Sequence, residues 1–598
     1  MNKEIILQKL NERQQKAVKM PKNGPLLIVA GAGSGKTATL TSRFLSLLEM
    51  GVKPENIVAI TFTNKAAAEM KSRIESSLGS SFGDLKSFIG TFHSFGAKIL
   101  RSDARLVGRL PNFSIFDSSD SSRLLRRILK EMNVDKSFGY SFFSGKIGDI
   151  KSDLLNVESF KESKYEKDRL AAEVYERYES ELKENNGFDF DDLIEKPVLI
   201  FHHRPETLLK YQKKYTHVLV DEYQDVNRAQ YLFVKLLGGE SGNINVVGDD
   251  NQAIYGFRGA DFRNFLNFDK DFKNANVIVL DQNYRSTKNI IGAASALISQ
   301  NKNQRPKNLW TDNEEGEKIK LFEHADEETE AGWLASAIPP LLNSGSVAIL
   351  YRTNAQSRSV EQSFIENGIP YQIFGGLKFY DRKEIKDIVA ALSFANNSSD
   401  LLSFDRMEKG FQKKSSRNLK ETLPLKVKSL SPSELIKFIL ESTGYLNLLQ
   451  KNFPNFSERA ENIAELTSFA SGFSSLSDFL ESVSLFQSSD AAPKSKNKII
   501  SSRFVNIMTI HLSKGLEFDH VFVVGVSDGL IPHQMSFSKS ENIEEERRLM
   551  YVAMTRARKN LHLSFFNLPS RFLSEIPSEF MSFENCAELD DEERYISI

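Results

Sequence analysis

Short apolar runs rich in β-branched residues recur along this chain, and each ends in polar or glycine residues. Runs that are apolar at every position are typical of strands buried on both faces, as in a parallel sheet covered by helices. Helical patterns such as NKAAAEMKSRIESSL (64–78) lie between the runs. The alternation predicts an α/β fold. The clearest runs are PLLIVA (25–30), IVAITF (57–62), HVLV (217–220), NINVVG (243–248), NVIVL (276–280), SVAILY (346–351), VNIMTI (505–510) and HVFVVGV (520–526).

Two stretches interrupt this alternation, at about 104–186 and 393–502. Both lack buried-strand runs, and the sequence predicts them to be helical insertions into the α/β core. The second contains KGFQKKSSRNLKETLPLKVKSLSPSE (409–434), whose lysines and prolines indicate a polar connector. Since 598 residues exceed what one hydrophobic core organises, we expect several compact units.

Composition limits the classes of partner and compartment. The formal net charge is −1, so nucleic-acid binding is expected to be local, along a cleft or patch. The single cysteine, Cys586, argues against a disulfide framework and a cysteine-based metal site. No apolar run is long enough to span a bilayer, and the first residues lack the apolar segment of a secretory signal. We therefore expect a cytoplasmic protein that does not engage membranes.

The segment AGAGSGKT (30–37) is close to the phosphate-loop pattern G-x-x-x-x-G-K-[ST], with Ala30 in place of the first glycine. A buried-strand run precedes it and an amphipathic helical pattern follows it, which is the context that the motif requires. The sequence predicts that Lys36 reaches the β- and γ-phosphates and that the Thr37 hydroxyl binds Mg²⁺. The predicted ATP-binding loop is Ala30, Gly31, Ala32, Gly33, Ser34, Gly35, Lys36, Thr37 and Ala38.

An acidic pair, Asp221 and Glu222, follows the apolar run HVLV in HVLVDEYQD (217–225). Carboxylates at a strand end supply the metal ligand and the water-activating group that a phosphate-loop enzyme needs. We predict that Asp221 holds Mg²⁺ with Thr37 and that Glu222 orients and deprotonates the attacking water.

A series of further segments has a recognisable order. These segments are LNERQQKAV (10–18), AGAGSGKT (30–37), TFTNKAAAEM (61–70), GTFHSFG (90–96), FDFDDL (188–193), VDEYQDVN (220–227), VVGDDNQAIYGFRGA (246–260), LDQNYRST (280–287), LYRTNAQSR (350–358), YDRKEIKDI (380–388), TIHLSKGLEF (509–518) and EEERRLMYVAMTRAR (544–558). In content and order they resemble the superfamily 1 DNA helicases of the UvrD/Rep/PcrA type, over nearly the whole chain. The loop of that family also begins with alanine.

The resemblance implies two RecA-like phosphate-loop domains, parallel sheets flanked by helices, with ATP in the cleft between them. The implied first domain comprises residues 1–103 and 187–279, with a helical insertion at 104–186. The implied second domain comprises residues 280–392 and 503–577, with a reduced helical insertion at 393–502. An acidic, flexible tail would follow at 578–598.

Residue roles in nucleotide chemistry follow from the resemblance. Gln14 would read the adenine edge, Tyr284 would stack on the base, and Glu517 would accept from the ribose. Gln252 would sense the γ-phosphate or the water. Arg285 and Arg556 match two arginine fingers of the second domain, and phosphoryl transfer independently favours cations that arrive on closure. The alternative for Arg556 is an exposed helix cation.

The same resemblance identifies residues that would grip a single strand by stacking and backbone contacts. Packing in the core is the alternative for the aromatic members, and it carries about equal weight for His93. Most relatives have tryptophan where this chain has Phe257. The implied DNA-contacting or coupling residues are Phe62, Thr63, Asn64, His93, Tyr255, Phe257, Arg258, Arg352, Asn354 and His511.

The region 393–502 lacks the glycine-containing element with which the family touches duplex DNA. Its lysines could meet a duplex backbone or form a solvated face. The leading hypothesis is an ATP- and Mg²⁺-dependent 3′–5′ single-strand DNA translocase and helicase of repair, recombination or replication restart. The first alternative is a translocase that displaces proteins and unwinds weakly. The second is a non-catalytic DNA-binding protein with a relic ATP site, against which the intact site residues argue. We expect single-stranded DNA and single/double-strand junctions as partners, possible contacts with repair or replication proteins, and a monomer in isolation.

Overall fold

The computed structural model describes residues 10–78, 86–116, 118–135, 138–239, 242–374, 379–398, 400–480, 483 and 504–585. The chain divides into two compact units. Unit 1 comprises residues 1–285 and 301–313, and unit 2 comprises residues 286–300 and 314–598. No helix among the described residues has the length and apolar character needed to cross a bilayer.

Unit 1 is built on a six-stranded sheet in which every neighbouring pair of strands is parallel. Four of its strands are buried along their whole length, as their apolar sequences predict. In order across the sheet, the strands are Phe88–Thr91, Ile57–Thr61, His217–Val220, Ile244–Gly248, Leu26–Ala30 and Asn276–Leu280.

Helices cover this sheet on both faces and bury two apolar clusters against it. The helices of unit 1 include Glu12–Lys19, Lys36–Glu49, Asn64–Leu78, Phe92–Asp103, Ser118–Glu131, Tyr140–Asp153, Val157–Lys161, Glu166–Glu184, Asp192–His203, Pro205–Lys214, Arg228–Gly238, Arg263–Leu266 and Phe268–Asp271. The helices between 118 and 184 enclose an apolar cluster of their own. A two-stranded ladder, Ser114–Ile115 with Gly187–Phe188, lies where the chain enters and leaves this helical part.

Unit 2 contains a seven-stranded sheet, and its strand pairs are again all parallel. In order across the sheet, the strands are Tyr371–Ile373, Val505–Thr509, Val347–Tyr351, Phe518–Val523, Ala557–Phe566, Ile319–His324 and Met581–Asn585. The helices of unit 2 include Lys288–Ser299, Glu327–Ala337, Ser357–Glu366, Lys383–Asn396, Leu401–Gly410, Lys413–Lys426, Pro432–Thr443, Tyr445–Asn452, Phe456–Ser471, Ile510–Ser513 and Ser540–Met554. Two parallel sheets flanked by helices confirm the predicted α/β class.

The boundary between the units differs from the expected one near 280. Residues 281–285 remain in unit 1, and residues 301–313 return to it. Local hydrogen bonds give the reason: the Asn283 side chain donates to the Ala32 carbonyl at 2.7 Å, and the Tyr284 N–H donates to Gly33 O at 3.0 Å. Arg285, which the sequence assigned to the second domain, therefore belongs to unit 1.

Two local expectations are wrong. The lysine-rich stretch expected to be a connector forms the helix Lys413–Lys426, because Leu419 and Leu423 recur at helical spacing and bury one face. The tail expected to be flexible from 578 instead contains the short helical turn Ser578–Phe580 and the strand Met581–Asn585, which pairs with Ile319–His324. Residues 586–598, including Cys586, lie outside the described residues. The limits of the two helical insertions stay predictions.

Candidate nucleotide and DNA sites

The phosphate loop, residues 31–35, joins the strand Leu26–Ala30 to the helix that begins at Lys36. Gly33 and Gly35 have φ of 65° and 78°, the left-handed region that only glycine adopts readily. Ala30, in contrast, is the last residue of the strand, where a methyl group packs in the core. Alanine at this position is therefore compatible with the loop. The Ser34 hydroxyl donates to Gly31 O at 2.8 Å, and Ala32 is buried beside it.

Lys36, Thr37 and Ala38 form the first turn of the helix that follows the loop, so the helix N-terminus faces the loop. The Thr37 hydroxyl donates to Asp221 Oδ2 at 3.1 Å. Burial and the neighbouring Glu222 carboxylate raise the pKa of Asp221 to about 7. The structure thus brings together the two side chains that the sequence predicted as metal ligands.

Glu222 follows Asp221 in a left-handed conformation with φ of 52°. Non-glycine residues seldom adopt this conformation, and it recurs where a site constrains a side chain. The Asp221 carboxylate accepts from Glu222 N–H at 3.0 Å, and Gln224 Nε2 donates to Glu222 Oε2 at 2.6 Å. These contacts fix the direction of the carboxylate that the sequence predicted as the base.

Gln252 lies in a turn after the strand Ile244–Gly248, which is the neighbour in the sheet of the strand His217–Val220 that precedes Asp221. Its amide nitrogen donates to Asp249 Oδ2 at 2.6 Å, and Asp249 is fully buried. Lys307, a residue that the sequence analysis missed, is 2.9 Å from Asp249 Oδ1 and also pairs with Asp250. Lys307 lies in the polar stretch KNQRPKNLW (302–310), and nothing in that stretch indicates burial, since its acidic partners are distant in sequence.

Gln14 and Tyr284, the two residues expected at the nucleobase, meet through Asn11. Asn11 caps the helix Glu12–Lys19, and Gln14 closes the capping box by accepting from Asn11 N–H. The Asn11 amide also donates to the Tyr284 hydroxyl at 2.7 Å. Gln14 Nε2 donates to Ser34 O at 2.9 Å, which ties this corner to the phosphate loop.

Arg285 lies beside the phosphate loop within unit 1. A methyl group added at Gly33 would clash with Asn283 and with the Cβ of Arg285. The Arg285 N–H donates to Asn283 Oδ1 at 2.7 Å. The close approach requires glycine at position 33 and puts the start of the Arg285 side chain at the loop.

In unit 2, Glu517 and Arg556 are neighbours, because Phe518 N–H donates to Arg556 O at 3.0 Å. Arg556 is only 1% exposed, so it is not an exposed helix cation. Its guanidinium donates to Val552 O at 2.9 Å and to Leu516 O at 3.1 Å. Glu517 forms an ion pair with Arg558, a partner that the sequence analysis did not single out.

Three aromatic side chains and one arginine form a surface cluster in unit 1. The rings of Phe62 and Tyr255 are 5.7 Å apart and nearly parallel, and those of Tyr255 and Phe257 are 6.1 Å apart. The Arg258 guanidinium lies 5.5 Å from the Tyr255 ring and 5.4 Å from the Phe257 ring. Phe257 is 65% exposed, which excludes the core-packing alternative for this residue.

Thr63 and Asn64 continue from Phe62, and both are exposed where the helix Asn64–Leu78 begins. His93 is the second residue of the helix Phe92–Asp103 and is partly buried, and burial lowers its pKa. Its ring lies edge-on to Phe190 at 5.7 Å. Phe190 is exposed and was missed as a single residue, although it lies within the recognised segment FDFDDL.

The unit 2 residues expected near DNA follow the carboxyl ends of two neighbouring strands inside its sheet. Arg352 and Asn354 follow the strand Val347–Tyr351, and His511 follows its parallel neighbour Val505–Thr509. Two of them have acidic partners. Arg352 makes a two-pronged ion pair with Glu546, and the Asn354 amide donates to Glu458 Oε1 at 2.6 Å.

Sequence models of two protein families match most of the chain. The model of the UvrD/REP helicase N-terminal domain matches residues 10–273. The model of the UvrD-like helicase C-terminal domain matches residues 278–449 and 445–568.

Curated relatives are similar over nearly the full length of the chain. ATP-dependent DNA helicase PcrA of Bacillus subtilis is 41% identical over an alignment of 643 residues, which covers 96% of this chain and 87% of the relative. The proteins of the same name from Staphylococcus epidermidis and Staphylococcus aureus are each 39% identical over 646 residues, with the same coverage.

Proposed function

The chain belongs to the UvrD/REP helicase family, and on that premise we propose that it is an ATP-dependent DNA helicase. We further propose that it moves 3′ to 5′ along single-stranded DNA, acts at single/double-strand junctions in repair, recombination or replication restart, and is a monomer in isolation. The observation that carries the proposal is the hydrogen-bonded site of Thr37, Asp221, Glu222 and Gln252 beside the phosphate loop.

ATP is the substrate of this site. Gly33 and Gly35 supply the left-handed backbone of the loop, and the helix that begins at Lys36 adds its positive end, which favours phosphate groups. The Lys36 ammonium would neutralise the β- and γ-phosphates. Glu222 would take the proton of the attacking water, and Gln252 would orient that water.

Mg²⁺ is the proposed metal. The hydroxyl of Thr37 and the carboxylate of Asp221, 3.1 Å apart, are oxygen donors of the kind that Mg²⁺ prefers. A cation at this position also suits a fully buried carboxylate whose pKa is raised to about 7. When bound, the metal would supply positive charge to the phosphate oxygens.

The remaining ATP contacts rest on the family resemblance. Gln14 and Tyr284 would hold the adenine, and their link through Asn11 supports a shared role. Glu517 would bind the ribose. Arg285 and Arg556 would stabilise the charge of the transition state, each in the role of an arginine finger.

The aromatic cluster of Phe62, Tyr255, Phe257 and Arg258 is the proposed grip on single-stranded DNA. Bases stack on aromatic rings for about 1–3 kcal/mol each, and arginine adds cation–π and phosphate contacts. Tyr255 follows Gln252 by three residues, so the turn that would read the phosphates continues into the cluster that would hold a base. Phe190, Thr63, Asn64 and His93 would extend this surface, while Arg352, Asn354 and His511 are the proposed unit 2 contacts.

The test is ATP hydrolysis with and without single-stranded DNA, followed by unwinding of duplexes with 3′ or 5′ tails. We expect DNA-stimulated hydrolysis and unwinding that requires the 3′ tail, and neither in Lys36→Ala. Absence of DNA stimulation in the unaltered protein would refute the proposal, and a 5′ requirement would refute the polarity. Displacement of streptavidin without strand separation would select the weak-unwinding translocase, which the helicase relatives do not favour.

A further inference from the structure

Residues 301–313 form a segment, here called the returning segment, that re-enters unit 1 and carries Lys307 into its interior. The Lys307 side chain is 1% exposed, and its ammonium contacts the carboxylates of Asp249 and Asp250. Both carboxylates are fully buried. A lysine is seldom buried in this way unless acidic groups compensate its charge.

Asp249 connects Lys307 to two groups of the proposed ATP site. In one direction, Gln252 Nε2 donates to Asp249 Oδ2 at 2.6 Å. In the other direction, Asp249 N–H donates to Gln224 Oε1 at 3.0 Å. The side-chain nitrogen of Gln224, Nε2, in turn donates to Glu222 Oε2 at 2.6 Å. An unbroken series of hydrogen bonds therefore runs from Lys307 to the γ-phosphate sensor and to the base.

Electrostatics explains why a cation is needed at this point. Two adjacent buried carboxylates repel each other, and each is destabilised by the loss of water. Burial alone would raise the pKa of Asp249, but Lys307 and Lys36 hold it below its ordinary value. Asp249 thus stays ionised, and it accepts the Gln252 amide in a charge-assisted hydrogen bond.

Further contacts fix the returning segment in unit 1. A methyl group added at Gly31 would clash with the Leu309 side chain, so this leucine packs directly on the phosphate loop. The Trp310 N–H donates to Asp281 O at 3.0 Å, and Trp310 O accepts from Asn283 N–H at 2.7 Å. Lys307 is consequently held at a fixed position relative to the loop and to Gln252.

We propose that Lys307 is a positioning residue for ATP hydrolysis. Through Asp249 it orients Gln252, and through Asp249 and Gln224 it orients Glu222. This inference rests on the proposed function, since it takes Gln252 and Glu222 as the groups that act on water. Asp249 separates Lys307 from Gln252, and Asp249 and Gln224 separate it from Glu222, so Lys307 is not a catalytic residue.

The experiment compares Lys307→Met with Arg305→Met in the full-length protein. The first removes the charge and leaves an unbranched apolar side chain that is one heavy atom shorter. The second removes the nearest other basic side chain of the returning segment. The Arg305 guanidinium contacts Leu266 O and Asp269, not Asp249 or Asp250. We expect Lys307→Met to lower kcat of DNA-stimulated hydrolysis about 10- to 100-fold, because a misplaced water-orienting group costs about that much. KM for ATP should change far less, and Arg305→Met should keep the kcat of the unaltered protein.

A double-mutant cycle with Gln252→Ala separates positioning from general destabilisation. We expect Lys307→Met to cause much less further loss of kcat once Gln252 is absent. An equal loss in both backgrounds, or no loss in Lys307→Met alone, overturns the inference. If Lys307→Met does not fold, Lys307→Arg, which keeps the charge and displaces it, enters the same cycle under the same criteria.

A missing role of Lys307 and a missing helicase activity give different results. If the unaltered protein hydrolyses ATP in response to DNA while Lys307→Met matches it, only the role of Lys307 is refuted. If the unaltered protein shows no DNA-stimulated hydrolysis, the proposed function falls and the inference falls with it.

Discussion

At the scale of single residues, the site is defined by buried polar groups whose hydrogen bonds leave them little freedom. Glu222 holds a left-handed backbone conformation that costs a non-glycine residue about 1–3 kcal/mol. The contacts with Asp221 and Gln224 compensate this cost. The strained residue is the one that the proposed mechanism uses as a base.

Glu222→Gln tests that role with little change in shape. Glutamine can still accept from Gln224, but it cannot take a proton from water. We expect kcat for ATP to fall about 100-fold or more, because general bases contribute at least that factor, while the affinity for a fluorescent ATP analogue is retained. Glu173→Gln, at an exposed carboxylate of the helix Glu166–Glu184, is the control. Unchanged turnover in Glu222→Gln would remove Glu222 from the mechanism.

Glu330 gives a pH dependence to the stability of unit 2. Its carboxylate is buried and accepts from Gly525 N–H at 2.9 Å, and burial raises its pKa to about 7. The pKa is higher in the folded than in the unfolded chain, so this carboxyl group favours folding at low pH and the contribution is lost as pH rises toward 7.

We therefore expect Glu330→Gln to raise the midpoint of thermal denaturation at pH 8, where the native protein holds a buried charge. The shift in pKa corresponds to at most about 3 kcal/mol. The difference from the unaltered protein should shrink as the pH falls toward 4. A difference that is independent of pH would show that the charge of Glu330 is not its cause.

At the scale of elements, short loops after parallel strands carry the functional groups, and helices fix the loops. The turn that contains Gln252 continues directly to Tyr255 and Phe257, so one element joins the nucleotide site to the aromatic cluster. A shift of this turn would move groups of both the nucleotide site and the aromatic cluster.

Phe257→Ala tests the aromatic cluster. We expect nearly normal ATP hydrolysis without DNA, and a raised concentration of single-stranded DNA for half-maximal stimulation, because an exposed stacking surface is lost. The matched control is Phe583→Ala, another exposed phenylalanine, on the strand Met581–Asn585 of unit 2. Equal DNA stimulation in the two variants would contradict a grip by Phe257.

The helix Lys413–Lys426 offers an internal comparison of two leucines. Leu419 is fully buried and Leu425 is 77% exposed. We expect Leu419→Ala to lower the free energy of unfolding of this helical part by about 2–5 kcal/mol, because it leaves a cavity, and Leu425→Ala to change it little. Urea denaturation followed by circular dichroism measures both. Equal effects would mean that this stretch is the solvated connector that its composition suggests.

At the scale of the whole molecule, an ionic network joins the helical part of unit 1 to its sheet-bearing part. The Lys151 ammonium lies 2.7 Å from Glu179 Oε1 and 2.8 Å from both Asp189 Oδ2 and Asp192 Oδ1. Lys196 lies 2.7 Å from Glu179 Oε2. The carboxylates of Glu179, Asp192 and Glu195 are close enough together to resemble a metal site, but the ammonium groups of Lys151 and Lys196 compensate their charge. The network therefore has a structural explanation.

Lys151→Met should weaken this connection. Removing one partner of a buried ion pair leaves uncompensated carboxylates and costs about 3–5 kcal/mol. We expect faster limited proteolysis between 118 and 184 and an earlier thermal transition. Lys161→Met, at a surface lysine paired with Glu158 and Glu176, should change the thermal transition far less, because water and salt screen a surface ion pair. Equal protease resistance in Lys151→Met and the unaltered protein would refute the role of the network.

The sequence alone determined the α/β class, the buried strands and the phosphate loop. These features are local. An apolar run of strand length favours a buried strand, and glycines followed by Lys36 and Thr37 favour a phosphate loop, whatever the rest of the chain does. Strands such as Ile319–His324 escaped notice because exposed residues interrupt their apolar pattern. The family resemblance supplied most of the remaining site residues.

Only the tertiary structure decided which distant residues share a site. It assigned Arg285 to unit 1, buried Arg556, turned a lysine-rich stretch into a packed helix, and put Lys307 between Asp249 and Asp250. Each outcome depends on partners far away in the chain, whose burial and charge set the cost of a polar group. A side chain of lysine or arginine looks the same in sequence whether water or two buried carboxylates surround it.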